Sequence, residues 1–125
     1  MTGTSETTSQ VVQKYYDTLK RGAASFDPAR LRVILAADLR FEGPIAGQIV
    51  GAERFITGVS GFAETTRGIS MLQKVHDGDT AAALYDAEMP GGAVRFAEFF
   101  QVGDGKIQSL RLLYDAAEYR ARGGR

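Results

Sequence analysis

The chain has no cysteine and one histidine, His76, among its 125 residues. Without thiols it can form no disulfide, and nothing suggests an oxidising compartment, so a cytoplasmic setting is the expectation. His76 alone cannot build a metal site, and with no cysteine and no second histidine no nucleophile–histidine triad can be assembled. Charge of either sign is not in excess: Lys+Arg and Asp+Glu are 15 each, for a formal net charge of +0. A nucleic-acid partner would call for a basic surplus, so none is expected. The opening residues, Met1 to Gln10, are rich in Ser and Thr and hold no apolar core. They read as neither a signal peptide nor a membrane span, and no membrane partner is expected. Residues 1–8 and 120–125 read as flexible tails of a single domain spanning 1–125. No phosphate-binding loop or dinucleotide fingerprint is present, because the glycines sit in hairpins rather than before a helix.

What remains is an ordinary globular composition, 44% hydrophobic and 24% charged, long enough to bury one core. From Glu6 to Arg21, Val11, Val12, Tyr15, Tyr16 and Leu19 recur at helical spacing, with Gly22 as a stop. The two tyrosines read first as core, with pocket groups as the alternative. Asp27-Pro28 is an N-cap followed by proline at the first helical position, opening a short helix to Ala37. Leu39–Glu42 reads as a short strand closed by Gly43-Pro44, and Ile45–Val50 as a flexible rim. A third helix follows from Ala52 to Ala63, weakened by Gly58 and Gly61 at ~1 kcal/mol each. Strands are then expected over Ile69–Asp77, Thr80–Met89, Ala93–Val102 and Lys106–Asp115, separated by glycine-bearing turns. A short terminal helix begins near Asp115. Helices first and strands afterwards indicate an α+β fold, three N-terminal helices packed on a curved antiparallel sheet with a four-strand C-terminal meander.

The chemistry centres on Ala93–Val102. Alternation puts Val94, Phe96, Glu98, Phe100 and Val102 on one face. Four are apolar and the fifth is a carboxylate. Burying that charge without partners is costly, so Glu98 must raise its pKa or find donors. It reads either as an acid paired with an arginine or as a working group on a cavity wall. Alternation on the last strand groups Ile107, Ser109, Arg111, Leu113 and Asp115. Arg111 is thus the expected charge partner of Glu98 or Asp115. Asp115 reads equally as a site acid or as the N-cap of the last helix. Asp86, between Tyr85 and Ala87 and beyond Leu84, joins the candidates. Arg40 and Glu42 form a salt bridge or reach the cavity mouth. His76 reads as a surface residue before the Asp77-Gly78-Asp79 turn. Carboxylate chemistry, with Tyr or Arg donors, is what these residues support: proton abstraction beside a carbonyl, cyclisation, or activation of water on an epoxide.

The element order, with Phe41-Glu42-Gly43-Pro44, Ala97-Glu98-Phe99-Phe100, Gly105-Lys106-Ile107 and Leu113-Tyr114-Asp115, resembles the nuclear transport factor two-like superfamily. That group includes SnoaL-like polyketide cyclases, ketosteroid isomerases and limonene-epoxide hydrolases. The resemblance spans about Val11 to Tyr119. It implies a cone-shaped α+β barrel, a cavity between sheet and helices, and a homodimer through the outer sheet face. Ketosteroid isomerases carry their base in a Glu-Asp-Pro segment; here Glu42-Gly43-Pro44 puts Gly43 at that position. Epoxide hydrolases of this fold use Arg-x-Asp on a meander strand and a second Asp ending the last strand; Leu84-Tyr85-Asp86 keeps the acid without the arginine, and Asp115 matches the second. The expected function is therefore a small cofactor-free, metal-free enzyme acting on an apolar carbonyl- or epoxide-bearing metabolite. Glu98, Asp115 and Asp86 are the candidate catalytic acids. Tyr15, Phe41, Glu42, Phe62, Phe96, Phe100 and Arg111 are the candidate substrate contacts. A non-catalytic small-molecule-binding or dimerisation module is the alternative.

Overall fold

The computed structural model describes residues 3–125, with side chains from Thr7 onward. Helix α1 spans Gly3–Asp17, so part of the stretch read as a tail is helical; Met1 and Thr2 lie outside the described residues. A single 3₁₀ turn at Gly22–Ala24 follows. Gly22 sits at φ +58, and a Cβ there would come within 2.1 Å of the Thr66 carbonyl oxygen. The glycine thus lets the chain turn tightly against the end of the third helix. Helix α2, Pro28–Ile34, opens as expected with the Asp27 side chain accepting from Arg30 N–H. It ends earlier than expected, because Leu35 is already extended and begins strand β1, Leu35–Gly43. Gly47–Val50 is strand β2, hairpinned to β1, where a flexible connection was expected. Helix α3 covers Ala52–Thr65.

The second half is the expected meander: β3 (Ile69–Asp77), β4 (Thr80–Met89), β5 (Gly92–Gly103) and β6 (Lys106–Leu113), closed by helix α4 at Ala116–Ala121. The six strands form one curved, unclosed sheet in the order β2-β1-β6-β5-β4-β3. One pairing departs from the antiparallel expectation: β1 lies parallel to β6. Parallel neighbours need a long crossover. Here β2, α3 and β3–β5 supply it, and α3 is thereby carried across the inner face. The core is that face together with the helices, and it gathers Val11, Tyr15, Tyr16 and Leu19 of α1, Phe55 and Ile56 of α3, and Tyr85, Phe96 and Phe100 of the sheet.

Two irregularities decide which side chains face inward. On β6 the register slips between Gln101↔Ser109 and Val102↔Ile107, leaving Gln108 as an extra residue whose amide donates to the Gly103 carbonyl. A bulge of this kind reverses the side-chain alternation beyond it. Ile107 faces in, and after the bulge Leu110 and Leu112 do, while Arg111 turns outward. On β4 the inner set is Ala81, Ala83, Tyr85, Ala87 and Met89, all buried, and Asp86 belongs to the outer set. At the other end of the chain, residues 120–125, read as a tail, meet the β4–β5 turn. Gly91 N–H donates to the Arg122 carbonyl, and Arg122 Nη1 donates back to the Gly91 carbonyl. No helix of the described residues is long and apolar enough to cross a membrane.

Candidate active site

Inside the fold, between the inner sheet face, α1, α3 and α4, lies a cavity of about 230 Å³. Its walls are almost wholly apolar and aromatic: Phe41, Phe55, Phe62, Phe96, Tyr114 and Tyr119 line it beside Leu19, Ile49, Val59 and Leu112. Glu98 is the one acidic side chain that lines it among the described residues, on β5 with 1% of its surface exposed, and Arg125, itself exposed, is the one basic residue on its wall. Directly across the ladder from Glu98 stand Ala83 on β4 and Leu112 on β6. The small side chains Ala81 and Ala83 leave room over this part of the sheet, and the tyrosines of α1 fill it. Tyr16 sits edge-on to both Tyr85 and Phe100, at 5.5 and 5.9 Å between ring centroids.

The partners of Glu98 are hydroxyls rather than cations. Tyr16 donates to Oε1 at 2.6 Å, and Tyr15 donates to Oε2 over a longer 3.4 Å. The Tyr85 hydroxyl also stabilises the charged carboxylate. No arginine or lysine pairs with Glu98 among the described residues; Arg111 instead lies 3.7 Å from Glu42. The balance of effects is clear from their sizes. Withdrawing a carboxylate from water costs several kcal/mol, and hydrogen bonds to a charge return about 1.5–3 kcal/mol each. With no cation to add to the hydroxyls, burial prevails, and it pushes the Glu98 carboxyl up from 4.5 to about 7. The same burial, reinforced by the Glu98 charge, raises Tyr15 and Tyr85 well above 10, so both remain hydroxyl donors.

The residues named from sequence divide cleanly. Tyr15, Phe41, Phe62, Phe96 and Glu98 line the cavity. Phe100 does not line the cavity: it is buried behind it, packed at 5.6 Å against the Tyr15 ring. Asp86 is a correction: on the outer face, directly opposite Arg95, it receives Arg95 Nε at 2.6 Å and is held below the usual carboxylate range by that hydrogen bond. Asp115 is another: it caps α4, accepting from Glu118 N–H at 3.0 Å, and does not line the cavity. Arg111 and Glu42 are also exposed and face away, the first because of the Gln108 bulge and the second because it alternates with Phe41. Sequence reasoning missed the hydroxyls of Tyr16 and Tyr85 as partners of Glu98, and Tyr114 and Tyr119 as walls. The wholly apolar set around Tyr85 on β4 was the signal available for that strand. Among the described residues no three His, Asp or Glu side chains gather to hold a metal ion.

A curved six-stranded sheet under three helices, enclosing an apolar cavity with one acid on its wall, defines a class of α+β domain. The chain belongs to the SnoaL-like domain family, whose pattern matches residues 12–110. Solved structures agree. A protein from Kribbella flavida DSM 17836 is 25% identical, with a TM-score of 0.75 over 98% of this chain and 94% of its own. A candidate SnoaL-like polyketide cyclase from Jannaschia sp. CCS1 superposes with a TM-score of 0.80 at 13% identity, covering 98% of this chain and 94% of that one. A candidate ketosteroid isomerase, also from Kribbella flavida, gives 0.73 at 23% identity, covering 89% and 79%. No curated protein matches the chain.

Proposed function

We propose that the protein is a small enzyme that moves a proton on an apolar, carbonyl-bearing molecule, with Glu98 as the acid–base group. The observation that carries this reading is Glu98 itself: a buried carboxyl on an apolar cavity wall, held by neutral hydroxyls and brought to about 7. A general base is most effective when its pKa lies near the working pH. Ionised Glu98 takes a proton from the carbon beside the carbonyl. The C–H electron pair becomes the C=C bond of an enolate, and the negative charge moves to the carbonyl oxygen. As Glu98 takes the proton it loses its charge, and the Tyr15 and Tyr85 hydroxyls, which line the cavity and keep their protons, turn from the carboxyl to donate to that oxygen. Return of the proton to a different carbon gives an isomer, and attack of the enolate carbon on a second carbonyl closes a ring. No step calls for a cofactor. The positions that match an epoxide hydrolase, Asp86 and Asp115, stand outside the cavity, which favours the carbonyl reading over water activation on an epoxide.

The test uses acetophenone in D₂O, with its methyl protons followed by NMR. The wild-type chain is expected to exchange them faster than buffer does, with a rate that rises through about pH 7. Glu98→Gln is expected to abolish the acceleration. Equal rates for wild type and Glu98→Gln would sink the proposal. A homodimer belongs to the same proposal. The outer sheet face exposes Phe99 at 47%, with Val50 and Val75 beside the same groove, a patch suited to a second copy. Phe99→Glu is expected to turn a dimer into a monomer by light scattering, and a monomeric wild type would exclude it.

A further inference from the structure

Gly58 is difficult to account for as part of a helix. It lies in the middle of α3, where glycine is the poorest former after proline. Its φ is not among the positive ones, so no unusual backbone angle requires it. Close packing does not require it either, because a Cβ built there meets no atom within 4 Å. Yet Gly58 lines the cavity, on the helix face shared with Phe55 three residues before it and Phe62 four residues after it. The polar end of the cavity, Glu98, Tyr15 and Tyr85, is buried. Gly58 is exposed, as are Ile45 and Ala46 in the β1–β2 turn and Arg125, which also line it. These exposed members mark the mouth, and the missing side chain is at the mouth.

We infer that Gly58 is a specificity-determining residue: its lack of a side chain keeps open the passage between α3 and the β1–β2 turn, and so sets the size of ring-bearing molecule that reaches Glu98. The inference rests on the cavity being the site of the reaction proposed above, and it adds what may not be changed at its rim. An apolar cavity of about 150 Å³ already takes benzene, so the cavity of about 230 Å³ here has room for a single ring with a short carbonyl-bearing arm. Gly61, one turn further along α3, is the natural control. A Cβ there also meets nothing within 4 Å, but Gly61 does not line the cavity.

Acetophenone binding by titration calorimetry decides the matter. Gly58→Leu is expected to weaken binding at least tenfold, Gly58→Ala by a smaller factor, and Gly61→Leu by less than twofold. Both leucine variants are expected to melt above the wild type, since each replaces a helix-interior glycine with a good helix former. Unchanged affinity in Gly58→Leu and Gly58→Ala would overturn the inference. So would an equal loss in Gly61→Leu, or a wild-type chain that gives no binding heat. Should Gly58→Leu fail to fold, Gly58→Ala adds one methyl to open space and carries the test alone. Because binding is read as heat, a wild type that binds acetophenone without exchanging its methyl protons keeps the Gly58 passage and loses only the Glu98 chemistry.

Discussion

Two acids of the β4–β5 ladder, Glu98 and Asp86, stand on opposite faces, and they behave in opposite ways. Ala83 faces Glu98 on the inner side, and three pairs along the same ladder Asp86 faces Arg95 on the outer side. Asp86 has a guanidinium against it at 2.6 Å, and its carboxyl is held below the ordinary range. Glu98 is buried with hydroxyls for partners, and its carboxyl is raised to about 7. Residue type does not separate the two. Partner and burial do: a cation outside fixes the charge, and an apolar wall inside leaves it adjustable near neutrality. Chemistry is therefore expected to follow one face of the sheet and solubility the other.

The widest gap between the faces should appear in turnover. Glu98→Gln is expected to lower the proton-exchange rate by roughly 10²–10⁴-fold, the usual contribution of a general acid–base group. Asp86→Asn should leave it within twofold. Comparable losses in the two variants would erase the distinction between the faces. Stability comes next. Glu98 binds its proton more tightly when folded, at about 7, than at its ordinary 4.5. Below pH 4.5 it is protonated in both states and imposes no electrostatic cost. As pH rises the unfolded chain ionises first, and stability is lost until the folded group has ionised too, above about 7. The gap corresponds to roughly 3 kcal/mol. Urea unfolding at pH 4 and pH 8.5 should show that loss in the wild type relative to Glu98→Gln. Asp86 contributes with the reverse sign, its stabilisation disappearing as pH falls. A difference between wild type and Glu98→Gln that does not change with pH would contradict the buried, hydroxyl-held description of Glu98.

A smaller effect sharpens the inner face. Tyr16 gives Glu98 its shortest hydrogen bond, and its own hydroxyl does not line the cavity. Tyr16→Phe removes a donor to the charged form alone. The midpoint of the pH–rate curve should therefore move upward from about 7, by about tenfold or more in the ionisation equilibrium. The plateau rate at high pH should change less than the midpoint does. A midpoint that stays in place would mean that burial alone sets the Glu98 equilibrium.

How far the sequence discloses these faces depends on how local the determinant is. Alternation along Gly92–Gly103 is unbroken, so the inward set of Val94, Phe96, Glu98, Phe100 and Val102 is legible directly. The α1 stripe is legible for the same reason, as is the Asp27-Pro28 start of α2. The inward set on β6 is not, because one extra residue at Gln108 reverses the alternation beyond it. Arg111 and Asp115 were placed beside Glu98 by counting in twos across that bulge. On β4 the apolar neighbours of Asp86 suggested burial, although the alternate set Ala81, Ala83, Tyr85, Ala87 and Met89 was the more apolar. The convergence of Tyr15 and Tyr16 on Glu98 joins residues more than eighty positions apart. So too, the parallel contact of β1 with β6 depends on the whole intervening chain. Such contacts follow from tertiary packing and leave no periodic trace.

The smallest expected effect concerns the outer pair. Asp86 and Arg95 are cross-strand neighbours in good hydrogen-bonding geometry, with Arg95 Nε and Nη2 both donating to the carboxylate. On geometry alone the pair looks stronger than anything around Glu98. Solvent reverses that ranking, because an exposed ion pair gains little over its hydrated parts and is screened by salt. A double-mutant cycle of Asp86→Asn and Arg95→Gln should therefore give a coupling near the error of urea unfolding, fading to nothing at 1 M NaCl. The Tyr16–Glu98 contact, shielded from ions, should keep its coupling at the same salt concentration. A large, salt-resistant coupling for Asp86 with Arg95 would mean that this face is covered in solution. The homodimer through the outer sheet face would then be the first explanation to test, with the Phe99→Glu variant expected to restore salt sensitivity to the pair.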